Sequence, residues 1–359
     1  MLFEQYQYDV FRFPQPQYLG AKYALLNWIA KFIPKGIERA IDGFAGSQSV
    51  AFLFKQHGLE VLTNDFLLFN HQIGLALIEN SREKLEKSDV DMLLRENPAA
   101  GTLMEELFAG VFFEEHEARF LDSFRANVEQ LGSDCKKALA FAIMNRSLTR
   151  KVIMGHFAHN QALSYAANPA RVKRNPSIAR PIAEIFKSLV PEYNHAVFDN
   201  GKQNRSFNAN ILELLPHIDR ADLIYLDPPY TDSHADYQAF YHLLETFTRA
   251  WRDKKFINST KRYAPPFWSG FDKKTEVLDS FAKLFELASE IPHWLISFND
   301  RSYPSVEELR RLIMRYKEVQ VEAKPYVSSR GGKGSVAGSH EVLFVCKNKL
   351  KVAVNFPHK

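Results

Sequence analysis

Apolar residues first recur with helical period near the start of the chain. Leu25, Leu26, Ile29, Phe32 and Ile33 share one face of a helix beginning near residue 22, and Pro34 and Gly36 end it. A short strand then leads into Ile41 and a glycine loop, "DGFAGS". A second amphipathic helix carries Val50, Ala51, Leu53 and Phe54, and Gly58 stops it as a left-handed cap. "LEVLT" reads as the next strand and closes on Asn64 and Asp65. This strand–loop–helix–strand succession opens a doubly wound sheet.

From about 70 to 200 helical patterning dominates. The strand signal returns in "DLIYLDPPY", residues 222–230. Phe240, Leu244, Phe247 and Trp251, at spacings of four, three and four, predict a helix. Another helix near 275–290 leads to the apolar strand "WLISF", and Ser305 with Glu308 forms a capping box behind Pro304. "EVQVEA" and "EVLFVC" are strands joined by "SSRGGKGSVAGS", and so short a connection suits an antiparallel pair at one end of the sheet. The expected fold class is α/β, a mostly parallel sheet ending in an antiparallel hairpin, interrupted by a mainly helical insert. The expected division is 1–70, the first part of a catalytic domain; 71–205, the insert; and 206–359, the second part.

Composition narrows the class. The 359 residues are 46% hydrophobic and 25% charged, as in a globular protein with an ample core. No apolar run reaches the length of a membrane span, and the N-terminus lacks the basic and apolar regions of a secretory signal. Two cysteines, Cys135 and Cys346, are too few for a disulfide framework or a four-cysteine zinc site. His156 and His159 have no close carboxylate or cysteine, so no metal is expected. A cytoplasmic setting fits best.

Net charge is only +4, but its distribution is uneven. Residues 79–134 hold 6 basic against 14 acidic side chains, and residues 135–206 hold 12 against 3. An acidic segment followed by a basic one suggests one face turned toward a polyanion. Two solvated helical surfaces would explain the same counts.

Chemistry concentrates in "DLIYLDPPYTD". In open α/β sheets ligands bind at the carboxyl ends of strands, where Asp227-Pro228-Pro229-Tyr230 stands. Two prolines remove two backbone donors, so the turn offers acceptors: the Asp227 carboxylate and the Pro228 carbonyl. Tyr230 adds a flat aromatic face. Two acceptors and a ring suit a planar base with an exocyclic amino group. Gripping both amino protons frees the nitrogen lone pair to attack an electrophilic methyl group. Such a base must first leave the helix stack.

The tetrapeptide occurs with "YLGAK" (Tyr18, Gly20, Lys22), "DGFAGS" (Asp42, Phe44, Ala45, Gly46) and "NDF" (Asp65), in that order. This combination resembles the Dam-type, or DPPY, DNA adenine N6-methyltransferases, which use S-adenosylmethionine. The shared layout covers most of the chain, although the insert shows no readable match. The resemblance implies a Rossmann-like class I methyltransferase fold and a flipped-out adenine held by Asp227 and Pro228, with Tyr230 stacked on it and Pro229 beside it. It implies a cofactor site from Tyr18, Gly20, Lys22, Asp42, Phe44, Ala45, Gly46, Asp65 and Asn210, with Asp227 reaching it. Gly46 permits close backbone approach, and the following helix offers N–H groups to an anionic end of the cofactor. Asp65, 19 positions after Gly46, stands where ribose hydroxyls are held in nucleotide-binding units. Asn210 departs from the family, which often has an aspartate there.

The resemblance makes the basic part of the insert the DNA face. Arg146, Arg150, Lys151, Asn160, Gln161, Arg171, Lys173 and Arg174 are the candidates for duplex DNA contact. Arg330 and Lys333 in the glycine-rich loop could also approach phosphates. A restriction endonuclease is a candidate partner, and a bacterial or phage-encoded protein, nucleoid-associated when on DNA, the implied setting. A cytosine amino-methyltransferase and a catalytically weak DNA-binding module of the same fold remain alternatives, the latter because Gln48 and Asn210 are unusual. A nicotinamide enzyme would need the G-x-G-x-x-G pattern that 43–48 lacks. Gln48 is expected in the first turn of a helix, beside Ser47 and Ser49, with its amide turned away or toward the cofactor.

Overall fold

The computed structural model describes residues 11–229, 236–325 and 339–349. Its main sheet has seven strands in the order β3-β2-β1-β4-β7-β9-β8. These are β1 (Arg39–Asp42), β2 (Glu60–Asn64), β3 (Arg205–Phe207), β4 (Leu223–Leu226), β7 (His293–Asn299), β8 (Lys317–Pro325) and β9 (His340–Asn348). The first five pair in parallel, and β9 runs antiparallel to both β7 and β8. A separate hairpin joins β5 (Lys255–Ile257) and β6 (Arg262–Ala264). The α/β fold is thus mostly parallel with an antiparallel edge, the architecture of a Rossmann-like methyltransferase.

Both faces of the sheet are buried, and strand alternation divides its residues between two cores. Ala40, Val61, Leu223, Tyr225, Leu295 and Leu343 belong to one core. Their neighbours Ile41, Leu62, Ile224, Leu226, Trp294, Ile296 and Phe344 belong to the other. The second core is closed by α11 (Ile211–Leu214), α13 (Val277–Leu287) and α14 (Val306–Ile313).

The first core extends well beyond the sheet. It contains apolar residues of α2 (Ser49–Gln56), α3 (Leu68–Gly74), α6 (Glu115–Val128), α7 (Asp134–Arg150), α10 (Ile182–Ala196) and α12 (Tyr237–Arg249). The helical stretch is therefore built onto one sheet face with a continuous core. Its shorter members are α4 (Lys87–Leu93), α5 (Leu103–Phe108), α8 (Ala162–Ala166) and α9 (Pro169–Arg174). No helix among the described residues is long and apolar enough to cross a membrane.

Some expected elements differ. The first helix is three short pieces, a 3-10 turn over Lys22–Leu25, α1 (Leu26–Ile29) and another 3-10 turn over Ala30–Phe32. None has a side-chain cap. Trp251 falls outside α12, because Ala250 takes a left-handed conformation and ends the helix before it. β3 and the β5–β6 hairpin have strands only three residues long, too short for alternation to reveal. Most of the glycine-rich loop, with Arg330 and Lys333, lies outside the described residues, as does Tyr230.

Candidate active site

Strand order reverses at β1, which has β2 and β3 on one side and β4 on the other. That reversal opens a crevice at the strand ends. Asp42 is in register with Tyr225, and Gly43 donates its N–H to the Tyr225 carbonyl at 3.0 Å. The chain beyond β1 and the chain beyond β4 thus emerge side by side, bringing the glycine loop against Asp227.

The crevice forms a cavity open to solvent. Of the expected residues, Tyr18, Gly20, Phe44, Asp65, Asn210, Asp227 and Pro229 line it. Asn64 fastens two of its walls. Its amide donates to the carbonyls of Gly43 and Ala209, both at 3.1 Å, and its oxygen accepts from the Ala209 N–H. Lys22, Asp42, Ala45, Gly46 and Pro228 stand behind the lining.

Asp42 serves the backbone. It accepts the Ala51 N–H at 3.0 Å, in the first turn of α2, so a strand carboxylate caps the helix expected to receive an anionic cofactor end. Burial, and then the charge of Asp227, push its carboxyl well above the usual range. Its second oxygen is buried with no hydrogen-bond partner.

Asp65 accepts the N–H groups of Gly46, at 2.8 Å, and Leu67, at 2.9 Å. Burial raises its carboxyl to about 6, against the lowering effect of those two bonds. Asp65 also lines the cavity, beside the loop that its carboxylate holds. Gly46 needs its small size: φ is +47°, and an added Cβ would lie 3.1 Å from the Tyr18 ring. That ring stacks on Tyr241, with centroids 4.7 Å apart, and on Tyr237 at 5.7 Å. Asn210 caps α11 by accepting the Leu212 N–H at 3.0 Å, and it lines the cavity.

Lys22, expected as a cofactor contact, pairs with Asp227. Its ammonium is buried and donates to both Asp227 oxygens, at 2.8 and 2.6 Å, and to the Gly20 carbonyl at 3.1 Å. Glu341, on β9, stands 3.3 Å away on the same ammonium. Burial works against the lysine charge, but Asp227 and Glu341 outweigh it and hold its pKa above the ordinary value.

Gln48 departs from expectation. It is not in the first helical turn but precedes α2 with φ +66°, a left-handed conformation. Its side chain is fully buried and turns inward, accepting from Thr63 Oγ1 at 2.5 Å and donating to the Asn70 carbonyl at 3.2 Å. Its amide braces the loop against β2 and α3 and does not line the cavity.

Other lining residues escaped the sequence reading: Tyr237, Gln238, Ser269 and Asp272 among them. Gln238 pins the loop ahead of α13, donating to the Phe267 carbonyl at 2.8 Å and accepting its N–H at 2.7 Å. The aromatic pair Tyr237 and Tyr241, four apart, was the one available signal; nothing local marks Ser269 or Asp272.

The basic segment divides in two. Asn160, Gln161, Arg171, Lys173 and Arg174 are exposed around α8 and α9. The Arg171 guanidinium lies over the Tyr165 ring at 3.8 Å. Lys151 does not belong with them: it is buried, bound to Glu117 at 2.9 Å and to the Arg180 carbonyl. Arg146 is half-buried, donating to Gln17 at 2.7 Å and to the Gln15 carbonyl. Arg150 is half-buried as well. The exposed unit is anchored beside the active site. Phe157 donates its N–H to the Phe240 carbonyl at 2.7 Å, and His156 stacks on Phe240 at 4.6 Å. Among the described residues no cluster of three or more His, Cys, Asp or Glu could hold a metal.

Comparison with known proteins agrees with this geometry. The model of the family described as D12 class N6 adenine-specific DNA methyltransferase matches residues 18–311. The type II methyltransferase M2.HphI of Haemophilus parahaemolyticus is 34% identical over 349 residues, covering 94% of this chain and 99% of that protein. The modification methylase StsI of Streptococcus sanguinis is 26% identical over 335 residues, covering 86% of this chain and 48% of that protein. The chain spans about half the length of the latter.

Proposed function

This chain belongs to the D12 class of N6 adenine-specific DNA methyltransferases, and from that premise we propose that its strand-end cavity holds S-adenosylmethionine beside a flipped-out adenine. The observation that carries the reading is the convergence of Asp227 and Pro229 with Phe44, Asp65 and Asn210 on one cavity. The lining suits a cofactor of this class: the Asp65 carboxylate for hydroxyls, the Asn210 amide, and the rings of Phe44 and Phe66 for a purine. When bound, the cofactor would supply an electrophilic methyl group on a cationic sulfur, and the amino nitrogen that accepts it would release one proton to solvent.

The chain's own residues do the rest. Asp227 and the Pro228 carbonyl accept the two amino protons, which keeps the nitrogen lone pair out of the ring and aimed at the methyl carbon. Lys22 bonds both Asp227 oxygens and so fixes the orientation of that carboxylate. Tyr18, Tyr237 and Tyr241 form an apolar stack that excludes water from this end of the cavity. Tyr230 is assigned the stacking role, Gly20 lines the cofactor's pocket, and Lys22, Asp42, Ala45 and Gly46 support it from the surrounding loops.

Residues 71–205 act as the target-recognition insert, with Asn160, Gln161, Arg171, Lys173 and Arg174 meeting duplex DNA. The names of the two relatives, a type II methyltransferase and a modification methylase, support a place in restriction–modification with a cognate endonuclease. A nucleoid-associated cytoplasmic location follows from a DNA substrate. Asp227→Ala tests the assignment: labelled methyl transfer to duplex DNA is abolished while DNA binding is largely retained. Full activity in that variant would overturn it.

A further inference from the structure

We propose that the β5–β6 hairpin and the loop after it form a second DNA-contacting element, outside the helical insert, with Trp268 as its stacking residue. This rests on the DNA substrate read above. Residues 251–274 carry 7 basic against 2 acidic side chains, while the whole chain nets only +4. A single large ring stands out among these charges. Trp268 is 57% exposed, the most exposed large apolar side chain among the described residues.

The ring is held, not loose. Its indole N–H donates to Glu276 at 2.7 Å, and the ring rests against Gly270, where an added Cβ would come within 3.2 Å of it. A ring already fixed in one orientation loses little freedom when a partner stacks on it. An aromatic face beside basic side chains is the combination that binds unstacked bases and their phosphates.

The hairpin's inner face fixes this element to the rim of the catalytic cavity. Tyr263, on β6, is buried and donates to Gln238 at 3.1 Å, and Trp251 packs edge-on against its ring at 4.7 Å. Gln238 also bonds both backbone groups of Phe267, and the chain runs from there through Trp268 to Ser269. Gln238 and Ser269 both line the cavity. Strand alternation turns Lys255 and Arg262 away from the face that carries Tyr263. Arg262 is tied to Asp236 at 3.0 Å and Lys273 to Glu276 at 2.8 Å. Lys255 is exposed, and Lys261 ends the turn between the strands.

The basic unit of the insert meets α12 at Phe240, and the hairpin meets it at Gln238. Side chains two positions apart point to opposite sides of a helix. Two basic elements therefore flank the helix whose first turn, with Tyr237 and Gln238, lines the cavity. A duplex that delivers a base between them is gripped on both flanks. Extruding that base leaves a neighbour with one bare face, and Trp268 at the rim covers it. Bases within an intact stack offer no such face, so the ring favours the complex in which the target has left the helix.

The test uses the full chain and long unmethylated duplex DNA of mixed sequence. Initial rates of labelled methyl transfer give kcat/KM for DNA, and salt titration of binding gives the log–log slope. Cofactor affinity and melting temperature are measured alongside. Trp268→Ala lowers kcat/KM by about tenfold, and Trp268→Phe, which keeps an aromatic face, retains most of it. Lys255→Ala combined with Lys261→Ala lowers the salt slope by about 1–2. Cofactor affinity and melting temperature stay near the wild-type values in all three. An unchanged kcat/KM in Trp268→Ala, as a ring that docks a protein would give, overturns the proposal. So does a loss that phenylalanine fails to prevent, or an unchanged salt slope in the double variant. Full activity in Asp227→Ala beside a tenfold loss in Trp268→Ala would reject the catalytic reading and keep this one.

Discussion

Replacing Gln48 by glycine sets backbone strain against buried hydrogen bonds. The left-handed conformation at φ +66° costs a residue with a side chain about 1 kcal/mol that glycine avoids. In return, the Thr63 hydroxyl and the Asn70 carbonyl lose their partner in a fully buried place. Each unsatisfied buried group costs about 1–3 kcal/mol, before any cavity left by the side chain. The losses exceed the gain, and the variant is destabilised by about 3 kcal/mol. With an unfolding entropy of about 2.1 cal/mol/K per residue over 359 residues, that lowers the melting temperature by about 4 °C. Cofactor affinity changes little, because the amide braces the loop from below. Thermal melting and cofactor titration of Gln48→Gly check both parts. A raised melting temperature would show that strain dominates. A tenfold loss of affinity without loss of stability would show that the side chain serves the cofactor directly.

Three further outcomes follow from the site and its surroundings. Asp65 is raised to about 6, and an accepted hydroxyl favours its ionised form, so cofactor affinity is full above that pH and falls below it. Titration across pH 5–8 shows this step in the wild type and none in Asp65→Asn. Lys151→Ala leaves the buried Glu117 without its cation and lowers stability by about 3–5 kcal/mol, measured by urea unfolding, with no change in the salt dependence of DNA binding. Replacing Arg171, Lys173 and Arg174 together by alanine does the reverse: stability is kept, and the log–log salt slope of DNA binding falls by about 2–3.

The two basic groups show where sequence reading stops. Lys151 and Arg174 have the same kind of side chain in the same charge run, and no local pattern separates them. One is buried because Glu117, 34 positions earlier, folds against it; the other lies on a short exposed helix. Likewise, "DGFAGS" and "DPPY" were legible as strand-end motifs, because alternation places the strands and chemistry singles out the residues. That Asp42 caps α2 while Asp65 faces the cavity was not, since both are acids closing apolar strands.

By itself the sequence determined the order of the longer strands and helices outside the insert, the reaction class implied by Asp227-Pro228-Pro229, and the division into acidic and basic stretches. These depend on period, turn chemistry and residue type, which are local. The tertiary structure decided which carboxylates meet the cavity, which lysine binds Asp227, and that Glu341 shares it. Lys22 and Asp227 are 205 positions apart and Glu341 lies on the antiparallel edge, so their meeting depends on how the sheet is ordered. Gln48 belongs to the same class: its left-handed backbone is sustained by Thr63 and Asn70, residues brought beneath it only when β2 and α3 pack against the loop.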